Sequence, residues 1–166
     1  MSPWSGQSWK LSEGDDLYRR AVYTYWKRTA PYPSMISFDG VGREVCTSRR
    51  IRTNTPLQAL VTLNDSVFVE ASRSFAFRME REASNKKDVR SKISKGYEIM
   101  MLKPIPPKKL SILEKLYQNA YLKFNKDKAK AAQMMGKKEG TAPPEQAALT
   151  VVANAMLNLD ELITKN

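Results

Sequence analysis

PEQAALTVVANAMLNLDELIT, residues 144–164, decides the fold class. Among its apolar residues, Ala147, Ala148, Val151, Val152, Ala155, Met156, Leu159, Leu162 and Ile163 return every three or four positions. That spacing predicts one strongly apolar helix over 144–164. Moving outward, 107–125 repeats the pattern with Leu110, Leu113, Leu116, Tyr117, Ala120, Tyr121 and Phe124. Pro106 or Pro107 can open that helix, and Asp127 can cap a short helix ending before Gly136. Residues 88–102 form another amphipathic segment, with Val89, Ile93, Tyr97, Met100 and Met101 on one side. Residues 66–83 place Val67, Phe68, Ala71, Phe75 and Met79 together, with Asp65 or Ser66 as the cap. No segment alternates with the period of two that a half-buried strand requires. The reading is an all-α helical bundle of about six or seven helices, punctuated by proline.

The start of the next helix inward is written in detail. In TPLQALVTL, 55–63, Thr55 stands at the N-cap, Pro56 at the first helical position and Gln58 three residues after the cap. The Thr hydroxyl can accept the Gln58 amide while the Gln58 side chain returns to the cap amide, a capping box. Leu57, Leu60, Val61 and Leu63 are the core candidates of this helix. Before it, residues 29–54 read as one long Arg-rich loop. A connection of that length needs side-chain pairing or a function to order it. Residues 15–28, DDLYRRAVYTYWKR, have helical spacing, with Asp15 and Asp16 at the positive end and Lys27 and Arg28 at the negative end. Residues 1–12 lack periodicity and read as an extended leading segment, and 13–166 as a single all-α domain.

Composition closes several routes. The chain has 166 residues, one cysteine and no histidine. Histidine-dependent triads and dyads, histidine-ligated metals, internal disulfides and CxxCH haem attachment are thereby excluded. No apolar run reaches membrane-spanning length, so no membrane insertion is expected. The net charge is +11. It is unevenly built: residues 1–84 hold ten Arg and two Lys against nine acids, whereas 85–166 hold fifteen Lys and one Arg against eight. Arg suits fixed bidentate pairing and Lys a hydrated surface. An anionic-polymer footprint is one reading of the excess. A solvated helical face is the simpler one, because the lysines are scattered without interleaved aromatics.

The densest constellation is the loop cluster Asp39, Arg43, Glu44, Arg49, Arg50 and Arg52. Guanidiniums among carboxylates form either a structural ion-pair network or a pocket for phosphate, sulfate or a carboxylated glycan. Structural pairing is the favoured reading, with Glu70 as a further partner, because an unpaired buried charge is strongly destabilising. Two carboxylates five residues apart in a loop are too common to assign glycoside chemistry to Asp39 and Glu44. Cys46 reads as a small packed residue. Asp160 and Glu161, adjacent on a helix, point about 100° apart and do not readily share one metal ion; Asn158 and Asp160 are expected to bond to loop backbone. No catalytic residue and no metal site is assigned.

Three runs, YRRAVYTYWKRTAPYPSM (18–35), REVCTSRRIRTNTPLQALVTLND (43–65) and ALTVVANAMLNLDELIT (148–164), give the chain a resemblance. It resembles the C-terminal domain of unknown function of planctomycete-type cytochrome-c-like multidomain proteins. The resemblance implies upstream domains of the same polypeptide as partners, haem in those domains with no cofactor in this one, and export to the periplasm or cell surface. It implies a non-enzymatic helical module; the alternatives are a binding module for sulfated polysaccharide or nucleic acid, and a non-catalytic part of an enzyme whose active groups lie upstream. Where the family pattern commonly reads Gly-Arg-x-Pro-Thr-x-x-Glu-Leu, this chain has Leu102-Lys103-Pro104-Ile105-Pro106-Pro107-Lys108-Lys109-Leu110. The Thr cap and the acid are missing, so this helix start is expected to be poorly capped.

Overall fold

The structure, a computed structural model, describes residues 14–23, 33–41, 46, 48–49, 53, 55–137 and 140–163. Among them every regular element is helical, and the fold is an all-α bundle. Eight α-helices are described: α1 (Pro33–Ser37), α2 (Pro56–Asn64), α3 (Ser66–Glu82), α4 (Val89–Met101), α5 (Pro107–Lys126), α6 (Lys128–Met134), α7 (Pro144–Leu157) and α8 (Asp160–Ile163). Contacts divide the chain into two compact units, Met1–Val61 and Thr62–Asn166.

In the second unit α7 is the central helix, packed mainly on α3 and α5. Leu149, Val152, Ala153 and Met156 meet Ala76 and Met79 of α3, Ile93 and Tyr97 of α4 and Leu113 of α5. A smaller cluster of Ala131, Ala132, Ala142 and Ala147 lies under Phe124 and Met134. A helix this apolar on nearly every side is stable only with neighbours around it. Asp65, Asp88 and Asp127 cap α3, α4 and α6 by accepting backbone amides, Val67 N at 2.9 Å, Arg90 N at 3.1 Å and Lys130 N at 3.1 Å. The Lys130 amide, and then its ammonium group, hold the Asp127 carboxyl below its ordinary range. Pro106 and Pro143 open α5 and α7 with no side-chain cap. Arg73 of α3 covers the end of α6, donating from Nε to Met134 O at 2.6 Å.

Four expectations need correction. Leu57, Leu60 and Leu63 of α2 do not face inward: they are 57, 58 and 43% exposed, while Val61 is half-buried and Gln58 and Thr62 are buried. Gln58 is buried against Asp39 and Thr53, and Thr62 against Asn158, because each side chain finds its own hydrogen-bond partners. Second, the 15–28 segment is no continuous helix where it is described. It holds two short 3₁₀ turns, Gly14–Tyr18 and Ala21–Tyr23, and its remainder lies outside the described residues. Tyr18, Val22 and Tyr23 are exposed, and isolated helical turns this short are marginal. Third, residues 33–37 of the expected loop are helical, opening on Pro33. Fourth, the 144–164 helix breaks at Asn158, whose side chain is engaged by Thr62, before α8 begins.

Candidate functional site

In the first unit the polar side chains converge on Asp39. Helix α1 ends with Asp39 N donating to Ile36 O at 3.1 Å and Gly40 N to Met35 O at 2.6 Å. This paired closure is a Schellman cap, and it puts Asp39 at the left-handed position, φ 58°. Asp tolerates that conformation better than most side chains. The carboxylate then meets Thr53, which donates from its amide to Oδ2 at 2.7 Å and from its hydroxyl to Oδ1 at 2.8 Å. Gln58 Nε2 adds a bond to Asp39 Oδ2 at 3.3 Å and one to Thr53 Oγ1 at 3.1 Å.

The far side of Gln58 belongs to the start of α2. Thr55 N donates to Gln58 Oε1 at 3.1 Å, and Gln58 N to Thr55 Oγ1 at 3.3 Å. Pro56 occupies the first helical position, where its missing amide hydrogen costs nothing. One buried amide side chain thus joins the end of α1, Thr53 and the α2 cap. Such an arrangement fixes a loop. It offers a substrate no free acid or base, since the carboxylate oxygens already accept several donors.

The six residues of the loop cluster fare differently. Asp39 is fixed as described. Arg49 is exposed and takes no carboxylate partner among the described residues. Arg43, Glu44, Arg50 and Arg52 lie outside the described residues. Thr53, which sequence reasoning did not single out, is the partner that Asp39 holds; a threonine two residues before a capping threonine carries no pattern of its own. Cys46 is exposed rather than packed.

The second unit carries a cluster that sequence reasoning missed. Glu161 of α8 accepts the Tyr97 hydroxyl at 3.1 Å and pairs with Lys103 at 3.0 Å and with Lys109. Lys109 also lies 6.0 Å from the centre of the Tyr97 ring. Glu161 is therefore committed to two cations, which pins α8 against the α4–α5 turn. No three Asp, Glu or Cys side chains converge as a metal site among the described residues. Asn158 accepts from the Thr62 side chain instead of from backbone. Along α7, Gln146, Thr150 and Asn154 form a buried polar line, in which Gln146 Nε2 and Asn154 Oδ1 have no partner among the described residues. These two atoms sit eight residues apart, about 12 Å along the axis, and do not share one site.

No curated protein and no solved structure matches the chain. Residues 1–117, more than half of its length and reaching into α5, match the family described as PSD1, protein of unknown function (DUF1553), and the chain belongs to that family.

Proposed function

We propose that the chain is a non-enzymatic helical module that packs against, or links, upstream domains of a longer exported, cytochrome-c-associated polypeptide, with haem carried in those domains. The observation that carries the reading is the apolar surface of the first unit. Among its described residues Tyr18, Val22, Tyr23, Ile36, Leu57 and Leu60 are all more than half exposed. Among the described residues the buried apolar clusters, in contrast, are built from residues of the second unit. Large apolar side chains left outward in one unit, while polar Gln58 is taken inward, fit a surface made for another protein domain. The order and content of the three sequence runs support the same parentage.

The test is reassembly. The chain and the remaining domains of its parent polypeptide, produced separately, should form a one-to-one complex in sedimentation velocity. Replacing Leu57 and Leu60 together by Asp should weaken it by roughly tenfold or more, as loss of two apolar anchors does. Independent sedimentation of the two parts at high concentration sinks the reading.

A further inference from the structure

Helix α5 is 20 residues long, about 30 Å. Its inner side is fixed by Leu113 and Ala120, with Leu110, Leu116 and Tyr117 packed around the same core. Its outer side carries Lys108, Ile112, Lys115, Asn119, Leu122 and Lys126, all exposed. These positions step by four, three, four, three and four, so they share one face. Ile112 and Leu122 are 64 and 57% exposed on that face. Lys123 flanks the row, and Lys128 and Lys130 continue it onto α6.

We propose that this face docks peripherally on an anionic phospholipid bilayer. Charge is the first argument. Residues 107–137 contain eight lysines and two acids. Both acids are engaged: Glu114 pairs with Arg90 on the side of α5 turned to α4, and Asp127 caps α6 while pairing with Lys130. Lys108, Lys115, Lys123, Lys126 and Lys128 take no carboxylate partner among the described residues. Their field is directed at whatever lies outside.

The aliphatic residues decide the kind of anion. A nucleic-acid backbone would press Ile112 and Leu122 against phosphates and hydration water, and the face has neither arginine nor aromatic side chains to read or stack on bases. A bilayer surface accommodates both components. The two aliphatic side chains enter the headgroup boundary, and the lysine stems lie along it with their ammonium groups at the lipid phosphates. No helix among the described residues is long and apolar enough to cross a membrane, so the contact is a surface one. The face is preformed, because the opposite side of α5 is already packed in the core, and docking orders no new helix.

The experiment is co-sedimentation of the full chain with vesicles of phosphatidylcholine alone or enriched in phosphatidylglycerol. Binding is expected only to the anionic vesicles and should fall with added salt. Lys115→Gln and Lys126→Gln should each weaken it about fivefold. Ile112→Ser combined with Leu122→Ser should weaken vesicle binding by roughly tenfold while leaving retention on duplex DNA unchanged. All these positions are exposed, so unchanged circular dichroism and melting will show that the variants fold. Failure to bind anionic vesicles overturns the proposal. So does vesicle binding that the double serine variant leaves intact, since the surface would then be a general polycation for nucleic acid or acidic protein.

Discussion

The Thr62 hydroxyl donates to Asn158 Oδ1 at 2.5 Å, joining the last turn of α2 to the turn that follows α7 across 96 residues of sequence. Thr62 is buried, and Asn154 Nδ2 reaches Leu63 O nearby at 3.5 Å. A polar tie of this kind replaces the apolar contact that leucines on α2 would have made. Thr62→Val keeps the shape and removes the donor. It should lower stability by about 1–2 kcal/mol, read as a lower urea midpoint at constant m value. A double-mutant cycle with Asn158→Ala should return a coupling of about 1 kcal/mol.

Thr55 and Gln58 satisfy each other's backbone amides at the start of α2. Thr55→Ala should cost about 0.5–2 kcal/mol in thermal or urea unfolding. Asp39→Asn should cost more, about 1–3 kcal/mol, because an amide NH2 would then face donors that Asp39 now accepts. An unchanged melt for both variants would show that this polar junction does not hold the loop.

Much of the second unit is legible from spacing and caps. Ile93 and Tyr97 on α4 and Leu113 and Ala120 on α5 are buried where the helical period puts them, and Asp127 caps α6 as local chemistry suggests. Local signals of this kind act within one turn of helix. The start of α2 was legible, but not which of its side chains are buried, because Gln58 bonds to Asp39, 19 residues before it, and Thr62 to Asn158, 96 residues after it. A hydrophobicity count sees Leu57 and Leu60 and has no access to those partners. The Asp39 junction was half legible: the capping box is a local motif, whereas the Thr53 contact depends on the left-handed turn after α1.

Leu102 is the C-cap of α4 in the left-handed region, φ 55°, and is 89% exposed. A left-handed non-glycine residue costs roughly 1–2 kcal/mol, against about 0.5–1 kcal/mol for the extra freedom glycine brings to the unfolded chain. Leu102→Gly should therefore stabilise the chain by up to about 1 kcal/mol. Leu102→Ala, which keeps the Cβ and loses only an exposed side chain, should change little. Equal melting of the Gly and Ala variants would remove the strain argument.

Tyr117 packs at the core edge and stacks on Tyr121 with ring centres 6.3 Å apart. Burial, then the Glu145 carboxylate, pushes its hydroxyl up to about 12. A folded-state value above the ordinary tyrosine value of about 10 means that the native chain holds this proton more tightly than the unfolded chain. Its contribution is complete below about pH 10 and is lost as pH rises through about 12. Ultraviolet titration should show a late-ionising tyrosine that disappears in Tyr117→Phe. Glu145→Gln should shift that step down only modestly, because burial is the larger cause.

Gly96 sets how closely α4 approaches α3. A Cβ at this position would lie 2.8 Å from both Cγ and Cε of Met79 and 2.9 Å from its sulfur. Two effects of Gly96→Ala oppose each other. Helix propensity favours alanine by about 1 kcal/mol. Overpacking costs about 1–3 kcal/mol when neighbours cannot move. Met79 has 0% exposure and lies among Ala76, Ile93 and Tyr97, so its whole side chain, not only a free end, would have to shift. Overpacking wins, and Gly96→Ala should destabilise by about 1 kcal/mol net. The diagnostic is the pair: Met79→Ala alone opens a cavity costing about 2–5 kcal/mol, but adding Gly96→Ala to it should restore stability, since the new methyl enters the vacated space. If the two substitutions add as independent losses, Met79 is not what limits the approach of the two helices.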